Sequence, residues 1–227
     1  LSPVGLVVAA YLKMNLLDLF KGAQLALEDK KNIHTAIQHY LASFKRNEDI
    51  SLFWFYNSNM RWFGCWLQQL WAESLGKKLT KNNSPAPEFS SPMISIGSCD
   101  QHSILQQIIE GPKNKFVNIF RFQNVENSQH VITETHFKET EILKNQQFGS
   151  LIKAESMATE QALRSSGVST MTFELAGNNE QNLGYLFMFF QLVVATIGEI
   201  SNIDAFNQPA VALSKKLTLD ILAQSRK

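Results

Sequence analysis

Apolar positions recur along the chain in two periods, and the two take turns. Residues 3–13, 16–28 and 32–44 carry apolar residues at helical spacing. "ISLFWFY" (50–56) is continuously apolar and aromatic, without Pro or Gly, and predicts a buried strand. From 59 to 75 the helical period returns in Phe63, Trp66, Leu67, Leu70 and Trp71. "NNSPAPEFSSP" (82–92) is a loop by composition. "MISIG" (93–97) predicts a second strand, a helix follows over 100–110, and "KFVNIFRF" (115–122) predicts a third strand. The stretch 124–147 is polar and of mixed pattern. "FGSLIKAESMATEQALRSSG" reads as a helix ended by Gly167, and "VSTMTFEL" (168–175) as a fourth strand. Helical patterns over 179–200 and 208–224 close the chain.

Strands alternating with helices predict an α/β fold with a mainly parallel sheet, doubly wound. In such folds ligands gather at the carboxyl ends of the strands. That rule points to three strand-to-helix turns: "YNSN" after the first strand, "GSCDQHS" after the second and "LAGNNE" after the fourth. Trp54, Trp62, Trp66 and Trp71 surround one strand and one helix, which suggests core packing. The run "LGYLFMFFQLVVATIG" is short for a membrane span and is interrupted by Gln191, so it reads as a buried helix.

Composition narrows the class. The 227 residues are 44% hydrophobic and 18% charged, which suits a globular protein with a substantial core. A net charge of +1 offers no footprint for nucleic acid. Cys65 and Cys99 are too few for a zinc site or a disulfide framework and fit a reducing compartment. The opening "LSPVGLVVAAYLK" lacks a basic leader and starts within a helical pattern without an initiator Met, as expected of a fragment or an excised domain.

Three places could carry chemistry. In "ISIGSCDQHS", Gly97 permits a tight turn, and Ser98 or Asp100 can cap the helix that follows. His102 lies in the first turn of that helix, where the positive end of the dipole favours a neutral imidazole, usable as acid or base. A surface or capping histidine is the plainer reading. Gln69 and Glu73 are four apart and share a helix face near its C-terminal end. In a dry site the dipole there would make the carboxylate take up a proton more readily, as a general base does. A solvated Glu balanced by Lys77 and Lys78 is the alternative. Lys215 lies two residues from Leu213, which forms an apolar face with Leu217 and Ile221, and by default is a solvated lysine. No Walker loop, GxGxxG or GxSxG is present.

Three motifs together bring in a family. "LQQLWAESLGK" (67–77), "GSCDQHSILQQIIEGP" (97–112) and "FNQPAVALSKK" (206–216) resemble glucose-6-phosphate isomerase, in the right order and over nearly the whole chain. "LSPVGL" resembles the stretch just after that family's Gly-Gly-Arg motif, and "FGSLIKAESMATEQAL" and "NLGYLFMFFQLVVATIGEISNIDAF" follow its bacterial pattern. The resemblance implies the second of two sugar-isomerase (SIS) domains, a three-layer α-β-α sandwich with additional N- and C-terminal helices. It divides the chain into a helical lead-in (1–48), a sheet core (49–178) and C-terminal helices (179–227). The first domain, with its Ser and Thr groups for the sugar phosphate, and the arginine upstream of Leu1 have no counterpart in this sequence.

By that resemblance Glu73 is the general base that moves a proton between C2 and C1 of the open-chain sugar. His102 assists ring opening and reaches the site from the neighbouring subunit, and Lys215 sits near the ring oxygen. Gln69 and Gln208 line the site. Cys99, Tyr185, Gln191 and Ala212 depart from the usual family residues without removing a proposed catalytic group. The expectation is a cytoplasmic homodimer with a shared active site, acting on a sugar phosphate without metal or organic cofactor. Neither nucleic acid nor membrane is an expected partner. It would interconvert glucose 6-phosphate and fructose 6-phosphate through a cis-enediolate, and the isolated chain would be inactive. The alternative is a sugar-phosphate-binding SIS module without catalysis.

Overall fold

The computed structural model describes residues 2–123 and 130–224, apart from the side chains of Pro209 and Ala212. Helices α1 (Pro3–Tyr11), α2 (Leu16–Glu28) and α3 (Lys30–Lys45) precede a strand–helix alternation. It runs β1 (Ile50–Phe55), α4 (Arg61–Leu75), β2 (Ser91–Ile96), α5 (Gln101–Glu110), β3 (Lys115–Phe122), α6 (Phe148–Ser165) and β4 (Ser169–Leu175). Helices α7 (Glu180–Ile200) and α8 (Pro209–Gln224) follow. The strands form one parallel sheet in the order β2-β1-β3-β4. Parallel neighbours need crossover connections, which the intervening helices supply. The predicted α/β class with its parallel sheet is the fold observed.

Side-chain alternation divides the sheet between two cores. Phe53 and Phe55 of β1, with Phe116, Phe120 and Phe122 of β3, face α3, α4 and α7. Leu52, Trp54, Val117 and Ile119 face α5 and α6. Burial on both faces explains why β1 and β3 read as unbroken apolar runs. The register pairs Phe55 with Phe120 and Phe120 with Phe173. Their rings stack across three strands at centroid distances of 4.4 and 4.6 Å. Asn118 lies in the same buried strand, where the Tyr40 hydroxyl donates to its Oδ1 at 2.8 Å and its own amide donates to the Leu52 carbonyl at 3.3 Å. Burial accordingly pushes the Tyr40 phenol well above its ordinary range.

The lead-in and the C-terminal segment meet through two glycines. A Cβ on Gly22 would lie 1.8 Å from the Gln181 carbonyl oxygen, and one on Gly184 would lie 2.0 Å from that of Leu19. Only hydrogen at both positions lets α2 and α7 come this close. Helix α7 is long and apolar enough to cross a membrane by length and composition alone, at 21 residues. The expected buried helix is nevertheless what forms: Leu186, Phe189, Phe190, Val193, Val194 and Ile197 pack into the core.

Several expectations need correction. Strand β2 starts at Ser91 rather than Met93 and includes Pro92, which an edge strand tolerates because one side of its ladder is unpaired. Helix α1 stops at Tyr11, two residues short of Lys13. Trp54 and Trp71 are fully buried but in different cores on opposite faces of the sheet, and Trp62 is 78% exposed, so the four tryptophans do not form one cluster. Trp62 lies on the outer side of α4, whose buried positions Phe63, Leu67, Trp71 and Leu75 recur every fourth residue. Part of the mixed polar stretch, residues 124–129, lies outside the described residues. The rest holds a short 3-10 helix (Lys138–Leu143) and one bridge between Val131 and Gln147. Gly167 ends α6 as expected, with φ of +74°, a conformation glycine adopts without strain.

Candidate functional site

The site builds from the C-terminal end of α4. Trp71 anchors this end: its ring is buried against Tyr40 and Phe53, and its indole N–H donates to the Ser90 carbonyl at 3.1 Å. Gln69 and Glu73 flank Trp71 by two residues each, about 200° around the helix, so they turn toward the opposite side. Gln69 is exposed and Glu73 half-buried.

Both carboxylate oxygens of Glu73 are occupied by amides. Gln69 Nε2 donates to Oε1 at 3.1 Å, the same-face pair that the spacing predicts. Gln208 Nε2 donates to Oε2 at 2.6 Å from a position 135 residues away. Two of about four lone-pair positions are thereby used and the carboxylate is fixed in orientation, leaving the others able to take a proton. Glu73, Lys77, Asp204, Asn207 and Gln208 line a cleft of about 810 Å³. That volume is within the range of small-molecule sites, on the order of 300–1,000 Å³.

Lys77 does not balance the carboxylate in the expected way. Its ammonium donates to the backbone carbonyl of Glu73 at 2.7 Å and to the carbonyl of Asn207. Burial holds the ammonium below the ordinary lysine range, against the opposing pull of the Asp204 and Glu73 charges. Asp204 shapes the approach to Gln208, with Oδ1 accepting from the Phe206 N–H at 3.0 Å and Oδ2 from the Asn207 amide at 2.8 Å. Lys77, Asp204 and Asn207 are not among the site residues that the motifs imply. Lys77 and Asn207 stand inside two of the quoted motifs, but no local spacing signals a contact across 130 residues.

The remaining candidates lie elsewhere. Helix α4 begins after the carboxyl end of β1 and ends before the amino end of β2, so Glu73 sits at the amino end of the sheet. The carboxyl-end rule therefore does not locate Gln69, Glu73 and Gln208. His102 follows the carboxyl end of β2, in the first turn of α5, and is exposed. The two ends are separated by the length of a six-residue strand, about 20 Å. Helices α4 and α5 also cover opposite faces of the sheet. Asp100 makes no side-chain cap for α5; its Oδ2 instead accepts from the Ile96 N–H at 2.7 Å and folds the turn back on its strand. Lys215 is exposed on α8, seven residues beyond Gln208. Among the described residues no cluster of His, Cys, Asp or Glu could hold a metal ion.

A sequence model of phosphoglucose isomerase matches residues 18–227. The chain belongs to the phosphoglucose isomerase family. It is 32% identical over 228 residues to a glucose-6-phosphate isomerase of Campylobacter jejuni, covering 98% of this chain and 54% of that protein. A glucose-6-phosphate isomerase of Methanocaldococcus jannaschii is 34% identical over 187 residues, covering 82% and 43%. The chain thus spans about half the length of the relatives it matches. Among solved structures, a hypothetical protein from Thermus thermophilus superposes with a TM-score of 0.83 at 25% identity, covering 98% of this chain and 54% of that one. A glucose-6-phosphate isomerase from Chlamydia trachomatis shares the fold with a TM-score of 0.66 at 20% identity, over 79% of this chain and 35% of that one.

Proposed function

We propose that this phosphoglucose isomerase family member is the portion of a glucose-6-phosphate isomerase that carries the general base. The observation behind this reading is the Glu73 carboxylate, fixed by Gln69 and Gln208 at the edge of a cleft. In the reaction Glu73 takes the proton from C2 of the open-chain aldose. The C2–H electron pair becomes the C1=C2 double bond of a cis-enediolate, and the carbonyl electrons move onto O1. O1 then takes up a proton and O2 gives one up, so that return of the proton from Glu73 to C1 as the C2 carbonyl forms gives fructose 6-phosphate. Removal of a proton beside a carbonyl is general-base chemistry, worth on the order of 10²–10⁴ in rate. The enediolate needs a preorganised positive group, which the family resemblance assigns to an arginine upstream of Leu1.

The exposed His102 and the half-buried Glu73 lie at opposite ends and faces of one sheet. That separation favours a homodimer in which His102 of one subunit serves the Glu73 site of the other during ring opening. Lys215 approaches the ring oxygen from α8. The enzyme acts in the cytoplasm, in glycolysis and gluconeogenesis, and the 227-residue chain alone is inactive because the phosphate site lies in the other half. The deciding experiment is Glu73→Gln in the full-length protein. Turnover should fall by on the order of 10²–10⁴ while substrate still binds, and isotope exchange at C2 should stop. Near-normal turnover would overturn the base assignment. Absence of C2 exchange in the unmodified protein would leave a sugar-phosphate-binding module instead.

A further inference from the structure

The hydrogen bonds around Glu73 close a ring, and Lys77 completes it. From the Glu73 carboxylate the ring runs through the Gln208 amide to Gln208 itself and then to the preceding Asn207, whose carbonyl accepts from Lys77 Nζ. The same ammonium donates at 2.7 Å to the Glu73 carbonyl, back on the starting residue. A cation on the last carbonyls of a helix also suits the negative end of the dipole. Packing within this chain does little to hold this segment. Ala205 is the last buried position among the described residues, and every described side chain from Phe206 to Gln224 is exposed. Hydrogen bonds therefore keep Gln208 against Glu73, and the two ends of the ring belong to segments about 130 residues apart.

We propose that Lys77 is a positioning residue: it clamps the Asn207–Gln208 segment onto the C-terminus of α4, so that Gln208 can orient the Glu73 carboxylate. An ammonium has three donors and no acceptor, so it bridges two carbonyls without competing for the carboxylate-binding amides. The proposal rests on Glu73 being the base, and its test separates the two ideas. In the full-length protein, Lys77→Met should lower kcat by on the order of 10²-fold, the scale of a misoriented reacting group, with KM for the sugar phosphate nearly unchanged. Lys77→Arg, which can still donate to both carbonyls, should recover most of the loss. Amide hydrogen exchange over 207–212 should accelerate in Lys77→Met while β1 and β3 keep their protection, which shows that the variant folds. Unchanged exchange over 207–212 overturns the clamp. A normal kcat in Lys77→Met, beside a Glu73→Gln variant that has lost turnover, overturns the positioning role and leaves the base assignment standing. A Glu73→Gln variant that keeps its turnover overturns the base assignment and the catalytic consequence of the clamp together.

Discussion

The two ends of the sheet are held by different means. Around Glu73, at the amino end, amides and backbone carbonyls dominate: Trp71 on Ser90, Ser51 against Ser90 at 2.6 Å, Gln69 and Gln208 on Glu73, and Lys77 across two carbonyls; an ion pair at this end, Arg46 with Glu48 at 2.9 Å, does not involve Glu73. At the carboxyl end, ion pairs dominate. Arg121, near the end of β3, bonds Glu160 and Glu174 at 2.6 Å each. The amide-held end carries a carboxylate whose charge is not cancelled by a cation at its oxygens. That is the arrangement expected where a carboxylate has to react, whereas Glu160 and Glu174 are committed to arginine.

The largest test of this contrast uses both ends at once. Glu73→Gln and His102→Gln full-length proteins should each be severely impaired. Mixed dimers should regain activity, because one of their two shared sites holds both native groups. Mixed dimers that form without regaining activity would break the shared-site proposal. A next test strikes the amino end through its anchor. Trp71→Ala removes a fully buried ring and the donor to Ser90, and should cost about 3–5 kcal/mol of stability by denaturant unfolding.

The smallest effect separates the ends by pH. The hydrogen bond from Arg121 holds the Glu174 carboxyl below the usual range, against the opposing effect of burial. A carboxylate with a depressed folded-state pKa contributes stability above its unfolded pKa, and that contribution is lost as pH falls through the folded value. Glu174 is 42% exposed, so solvent screens the pair and the change should be modest. Acid titration followed by hydrogen exchange should loosen the carboxyl end of β4 before residues near Trp71. Loosening in the reverse order would contradict the contrast.

The core is largely legible without the structure. The unbroken runs of β1 and β3, the fourfold spacing of Phe63, Leu67 and Trp71, and Gly167 all announce their elements, because each signal is local. The turn at Asp100 is less legible: a helix-capping residue and one that bonds back to its strand have the same composition, and only the fold separates Ile96 N–H from the α5 amides. Trp62 looks like core because its neighbours are, yet its angular position on α4 turns it outward.

By itself the sequence determined the order of helices and strands, the parallel α/β class, the Gln69–Glu73 pair and the three motifs of the family. Periodicity and i,i+4 proximity are properties of a short window, and each of these signals fits inside one. Only the tertiary structure decided that Gln208 meets Glu73, that Lys77 bonds Asn207, and that Glu73 and His102 stand at opposite ends of one sheet. Those relations depend on how crossovers and loops return the chain to itself over more than a hundred residues, and no local pattern encodes that geometry.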